Sequence, residues 1–134
     1  MSTAQSPLSI EVELAREDVV LVSVAGHLDL DTAAAFQAGL AEQLRQGRRH
    51  FLLDLSAVPF MDSSGMNIIL RTYHETRGRA GSVHVIRPVN AVRRVLDLTG
   101  VSLTVPISES VDEALALIDG QGAGQASAET PGDA

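Results

Sequence analysis

Asp62-Ser63-Ser64-Gly65 is the stretch of this chain best suited to chemistry. It follows the apolar run Phe51 to Leu55 and precedes helical spacing that begins at Met66, so both serines fall where a helix starts. A helix N-terminus offers unpaired backbone N–H groups and a partial positive charge. A hydroxyl there can cap the helix, and a phosphate there is electrostatically tolerated. Ser63 and Ser64 are therefore candidates for a phosphate switch. Asp62 or Ser63 acting as a plain N-cap accounts for the same residues with no further function. Three other chemistries fit less well. A serine hydrolase needs Gly-x-Ser-x-Gly at its elbow, and with Ser64 as nucleophile Asp62 stands where the first glycine belongs. His27 and Asp29 could imitate the rest of a triad, but one loop histidine more often is polar surface. Asp29, Asp54 and Asp62 suggest phosphorylation on aspartate, a chemistry expected to use a lysine near the end of the sheet, and the chain has no lysine. Asp54, inside a strand, reads as a satisfied structural carboxylate. His27, His50, His74 and His84 show no paired ligand spacing on one helix face, so each reads as surface or core and no metal or cofactor is expected.

The chain has 134 residues, enough for one domain with its own core. It has no cysteine, which excludes disulfides, thiolate nucleophiles and cysteine metal sites. Its net charge of −7 argues against direct nucleic-acid binding and suits basic protein partners. All of its basic residues are arginine. Arg45, Arg48 and Arg49 form the densest cluster, at a helix end where cations complement the dipole, and read as a solvated face. The longest apolar runs, such as Val19 to Val22, fall far short of the roughly 18 to 20 residues that cross a bilayer. With no cationic leader ahead of an apolar block, a cytoplasmic protein with no membrane contact is expected.

These candidate groups need a frame. Leu8, Ile10, Val12 and Leu14 alternate with polar residues, the pattern of an edge strand with one wet face. After the turn Arg16-Glu17-Asp18, Val19 to Ala25 is apolar on both faces and forms a hairpin with it. Asp31 or Thr32 caps a helix with Ala33, Phe36, Leu40 and Leu44 on one face, closed by Gly47. Phe51 to Leu55 is the next strand. The serine turn then opens a helix with Met66, Ile69, Leu70 and Tyr73 in register, stopped by Gly78. Ser82 to Ile86 is a further strand, and Asn90 caps a short helix carrying Val92, Val95 and Leu96, closed by Gly100. Leu103, Val105 and Ile107 predict a last strand, at an edge because of Pro106. Ser110-Val111-Asp112-Glu113 is a capping box for a final helix with Val111, Ala114, Leu115 and Ile118 inward. The expectation is one α/β domain over 8–118, a mixed sheet with four helices, flanked by a flexible N-terminus over 1–7 and a disordered tail over 119–134. Right-handed crossovers bring the turns Gly26–Thr32, Ser56–Ser64 and Arg87–Asn90 to the carboxyl edge of the sheet.

Gly26-His27-Leu28-Asp29, Leu53-Asp54-Leu55-Ser56 leading to Met61-Asp62-Ser63-Ser64-Gly65, and Pro88 to Gly100 occur in an order and spacing that resemble the anti-sigma factor antagonists of the STAS domain family. The likeness runs from about Leu8 to Ile118. It implies a non-enzymatic regulator of transcription. The second serine of the turn, here Ser64, would be phosphorylated by a partner that is both anti-sigma factor and serine kinase, and reset by a serine phosphatase. The unphosphorylated form would bind the anti-sigma factor and release the sigma factor. His27 departs from the common Gly-Glu-Leu-Asp form of the first turn. The competing expectation within the same fold is a constitutive scaffold module in a signalling assembly or a transporter-associated complex.

A phosphate adds about −1.5 to −2 charges, and at a helix N-terminus it leaves its own helix intact, so such a switch has to act at an interface. The expected partner surface is His27, Asp29, Asp62, Ser63, Ser64 and Asn67, with the helix from Ser64 to Arg77 along it. Asn67 stands off the Met66, Ile69, Leu70, Tyr73 stripe and has little core role, whereas Asp29 could equally brace its own turn.

Overall fold

The computed structural model describes residues 8–128. Ser9–Arg16 (β1) and Val19–Ala25 (β2) form the antiparallel hairpin, with a bulge between Leu14 and Arg16. His50–Ala57 (β3), Ser82–Ile86 (β4) and Ile107–Ser108 (β5) add in parallel, giving a sheet of order β1-β2-β3-β4-β5 with β1 and β5 at its edges. The helices are Ala33–Arg45 (α1), Ser63–Arg77 (α2), Asn90–Leu98 (α3) and Val111–Ala128 (α4).

The period-two alternation of the strands divides the core. Val20, Val22, Val24, Phe51, Leu53, Leu55, Val83 and Val85 meet Phe36 and Leu40 of α1, Ile68 and Ile69 of α2, and Val92 and Leu96 of α3. On the other face Val19, Leu52 and Ile86 meet Ala114 and Ile118 of α4. Because β2, β3 and β4 are parallel, the turns that follow them leave from one edge, as the crossover argument requires.

Several local expectations are corrected. The stripe of α2 buries Gly65, Ile68, Ile69, Thr72 and Thr76, while Met66, Leu70 and Tyr73 are half-buried. Both threonines can go inward because their hydroxyls donate to their own helix, Thr72 to the Ile68 carbonyl at 2.9 Å and Thr76 to that of Tyr73 at 2.9 Å. The alternation of Leu103, Val105 and Ile107 mostly does not make a strand. Gly100 takes a left-handed backbone (φ 82°), Val101–Leu103 winds as a 3-10 turn with Leu103 90% exposed, and only Ile107–Ser108 pairs with β4. Val101 and Val105 plug the core from that turn, imitating strand periodicity. Val89, not Asn90, is the N-cap of α3, and Asn90 is its first helical residue. The Ser110 hydroxyl accepts from Glu113 N–H at 3.1 Å, the first half of the expected capping box, whereas the Glu113 carboxylate reaches past the cap to accept from Glu109 N–H at 2.6 Å. α4 then runs through Ala128, past the boundary of the tail expected from 119, on alanine and glutamine that favour helix. Residues 1–7 and 129–134 of the expected flexible ends lie outside the described residues.

Candidate functional site

The β2–α1 and β3–α2 turns are stitched together by backbone hydrogen bonds. Gly26 N–H donates to the Ala57 carbonyl at 3.1 Å, Leu28 N–H to that of Phe60 at 3.0 Å, and Asp62 N–H to that of Leu28 at 3.0 Å. Leu28 and Met61 thereby form an isolated parallel bridge just past the strand ends, and both side chains are buried. Gly65 seats the start of α2 against this bridge. A Cβ there would lie 2.9 Å from Leu28 Cβ and 3.1 Å from Met61 Cγ, a separation only glycine satisfies.

Each polar residue of the two turns has a defined task. Asp62 is the N-cap of α2: its backbone is extended and its carboxylate accepts from Ser64 N–H at 2.8 Å. The cap expected of Asp62 or Ser63 therefore falls to Asp62, which leaves Ser63 and Ser64 as the first two helical residues, the former exposed and the latter half-buried. Asp29 accepts from Asp31 N–H at 3.0 Å and Thr32 N–H at 3.2 Å, so it braces its own turn. Thr32 accepts from Asp29 N–H at 3.1 Å and donates to the His27 carbonyl at 2.7 Å, closing the loop that enters α1. Thr32 occupies the N-cap position of α1, but the carboxylate bonds there come from Asp29, not Asp31.

The bridge thus brings His27 and Asp29, which flank Leu28, beside Asp62, Ser63 and Ser64, which follow Met61. Asn67 is exposed one turn further along α2 and lines an open groove of about 650 Å³ with Arg71, His74 and Gly78. Two apolar residues of this surface carried no expectation. Phe60 is 46% exposed, with its ring 5.9 Å from that of His27 in an edge-on arrangement, and Leu30 is 77% exposed. The available signal was a second large apolar side chain in each turn beside the one that is buried, Leu30 between Asp29 and Asp31 and Phe60 between Pro59 and Met61.

The third turn joins the sheet edge differently. Arg87, in the left-handed region (φ 49°), donates to Asp54 at 3.0 Å. Asp54 also accepts from the Ser56 N–H at 3.0 Å and the Ser56 hydroxyl at 2.7 Å, which makes it a structural carboxylate. Asp54 alternates with Leu53 and so faces the α4 side of the sheet, away from α2. The four histidines do not gather at one site: His27 meets Phe60, His74 meets Tyr73 on α2, and only His50 and His84 come together, bridged by Ser82 on the α4 face. Among the described residues no group of His, Asp and Glu is placed to hold a metal ion, and no helix is long and apolar enough to cross a membrane.

The STAS domain family matches residues 11–114. The chain is 32% identical over 109 residues to the anti-sigma F factor antagonist of Paenibacillus polymyxa, covering 81% of this chain and 92% of that protein. It is 31% identical over 116 residues to the anti-sigma-F factor antagonist RsfB of Mycobacterium tuberculosis, covering 86% of this chain and 94% of that one. The crystal structure of an anti-sigma factor antagonist from Mycobacterium paratuberculosis superposes with a TM-score of 0.77 at 31% identity, over 89% of this chain and 99% of that one.

Proposed function

Because the chain belongs to the STAS domain family, we propose that it is an anti-sigma factor antagonist whose unphosphorylated form binds an anti-sigma factor and whose binding ends when Ser64 is phosphorylated. The reading draws on relatives named for that role over nearly their full length. The observation that carries it is the surface built on the Leu28–Met61 bridge, where Ser64 opens α2 beside exposed Leu30 and Phe60.

In this reading the partner is also a serine kinase. The Ser64 hydroxyl oxygen attacks the terminal phosphorus of the partner's ATP, the bond to ADP breaks, and the hydroxyl proton leaves to a base of the partner. The chain itself is substrate and ligand, not catalyst. Leu30 and Phe60 supply apolar anchors of the kind that dominate interface energetics, and His27, Asp29, Asp62, Ser63, Ser64 and Asn67 supply the polar contacts.

The consequence of phosphorylation follows from charge and desolvation. At the second residue of α2 a phosphate sits at the positive end of the helix and leaves the fold intact. Asp29, Asp31 and Asp62 already make this surface acidic. About −1.5 to −2 further charges buried against a partner without a counter-charge cost several kcal/mol, and each ~1.4 kcal/mol is tenfold in affinity. A serine phosphatase restores the binding form. The role places the protein in the cytoplasm with its sigma factor. Pull-down from the native cell extract, with mass spectrometry of the captured partner and of Ser64, tests it. Recovery of a kinase-bearing anti-sigma factor only with unphosphorylated protein supports the reading, whereas a transporter component captured regardless of Ser64 would establish the scaffold role.

A further inference from the structure

We propose that His50, Ser82 and His84 form an acid-sensitive latch beneath α4, whose packing on the sheet requires a neutral His84. His50 and Leu52 of β3 lie on the face that α4 covers, as do Ser82, His84 and Ile86 of β4, with His50 paired to Ser82 and Leu52 to His84. His50 Nδ1 is 2.7 Å from Ser82 Oγ, and Ser82 Oγ is 2.9 Å from His84 Nε2. The chain runs inward, from half-buried His50 through buried Ser82 to His84, which is 0% exposed. Among the described residues His84 Nδ1 is buried without a hydrogen-bond partner.

Ser82 has one hydroxyl proton, so it donates in at most one of the two bonds and a histidine N–H donates in the other. If His84 Nε2–H donates to Ser82 Oγ, the Ser82 hydroxyl donates to His50 Nδ1 and the cost is one orphaned lone pair on His84 Nδ1. The reverse arrangement leaves an orphaned N–H in the core. Protonated His84 would have that orphaned N–H together with a buried charge, the most expensive state of the three. The latch is therefore closed only while His84 is neutral.

Among the described residues no carboxylate pairs with His84. On β4 and β3 the neighbours of His84 on this face are Ile86, Leu52, Ser82 and His50, Asp54 beyond Leu52 is engaged by Arg87 at 3.0 Å, and α4 packs Ala114 and Ile118 on Leu52 and Ile86. The remainder of α4, from Gly120 to Ala128, contains no ionisable residue, and Asp112 and Glu113 are exposed in its first turn. The charged groups near the outer end are already engaged: Asp18 of the β1–β2 turn pairs with Arg49 at 2.7 Å, and Arg16 of β1 pairs with Asp119 of α4 at 2.6 Å. Burial pushes His84 down from 6.5 to about 4, with His50 adding a smaller push. Burial also lowers His50, against the pull of Asp18 and with the push of Arg49 and Arg16.

A histidine lowered in the folded state contributes stability that is complete above its unfolded value of 6.5 and is lost as the pH falls toward about 4. Between about pH 7.5 and about pH 5 the closed latch should lose roughly 30-fold against the open one from His84 alone. Opening bares Val19, Leu52 and Ile86, on the side of the sheet opposite α1 and α2, so this response is separate from Ser64.

Amide hydrogen exchange at Ala114 and Ile118, corrected for intrinsic rates, together with an NMR titration of the histidine rings, tests the proposal on the full chain. The expected result is that His84 stays neutral down to about pH 5 while the α4 amides open about 30-fold more often, ahead of the β3 and β4 amides, and that His84→Gln removes this acid response. Ring titration of His84 near its ordinary value, α4 protection unchanged by acid, or an undiminished response in His84→Gln would each overturn it. Should His84→Gln fail to fold, the wild-type ring titration and exchange decide the matter by the same criteria.

Discussion

Leu28 and Met61 pair across two turns as a single parallel bridge, with both side chains buried and both flanking loops hydrogen-bonded to each other. That pairing fixes the position of Ser64 relative to His27 and Asp29, because α2 begins two residues after Met61. The functional surface thus rests on backbone geometry belonging to the sheet edge, to which the His27–Phe60 contact between the loops is added.

Gly65→Ala tests this directly. The added methyl would meet Leu28 Cβ at 2.9 Å and Met61 Cγ at 3.1 Å, and one contact is the root of a side chain, which cannot swing aside. Overpacking of this kind costs about 1–3 kcal/mol. Urea denaturation should show that loss, and partner affinity should fall more than in a surface variant of equal stability because the start of α2 is displaced. Unchanged stability would mean that the helix does not depend on this close approach.

Leu30→Ala and Phe60→Ala are expected to separate binding from folding. Leu30 is 77% exposed and Phe60 46%, so the free protein should lose little, within about 0.5 kcal/mol for Leu30 and somewhat more for Phe60, which also loses its contact with His27. As interface anchors each should cost about 1–2 kcal/mol of binding, a 5–30-fold loss by isothermal titration calorimetry. Affinity equal to wild type in both variants would remove them from the interface. Asn67→Asp belongs in the same series, with a smaller loss and an unchanged melting temperature.

Ser64→Ala should abolish incorporation of labelled phosphate from ATP in the presence of the kinase partner, while Ser63→Ala retains it. Asp62 supplies the cap to α2, so neither substitution removes the helix start, and both variants should melt close to wild type. Labelling of Ser64→Ala at the wild-type level would move the site elsewhere. Asp62→Ala, by contrast, should cost about 1 kcal/mol of stability because it leaves the Ser64 N–H without its acceptor.

Much of this arrangement was readable from residue types. The edge strand, the doubly covered strand, the serine turn and the helix that follows it all announce themselves by apolar period and by turn residues. What escaped had specific causes. Thr72 and Thr76 look polar in one dimension, yet their hydroxyls are satisfied within α2 and both residues are buried. Val101, Leu103 and Val105 keep a strand's period while Gly100 turns the backbone back into a 3-10 turn. Leu30 and Phe60 occupy turns, where period says nothing about exposure, and only the bridge brings them to one surface. The role of Gly65 could not be read at all without knowing what lay opposite it.

Removal of the chain beyond Asp119 is expected to leave partner binding intact. α4 packs on Val19, Leu52 and Ile86, on the sheet face opposite α1 and α2, and its buried contacts Ala114 and Ile118 precede the cut. The Arg16–Asp119 pair is retained, and a solvent-exposed pair of this kind contributes little in any case. A large drop in affinity for the anti-sigma partner with the fold preserved would assign the segment a direct part in recognition.

The central claim is that one phosphate on Ser64 governs binding, and calorimetric titration of the kinase-bearing anti-sigma factor with unphosphorylated and Ser64-phosphorylated protein addresses it most directly. The unphosphorylated form should bind saturably and phosphorylation should cost about 100-fold or more, with circular dichroism and melting temperature nearly unchanged because the phosphate sits at the positive end of α2. Equal affinity of the two forms would contradict it.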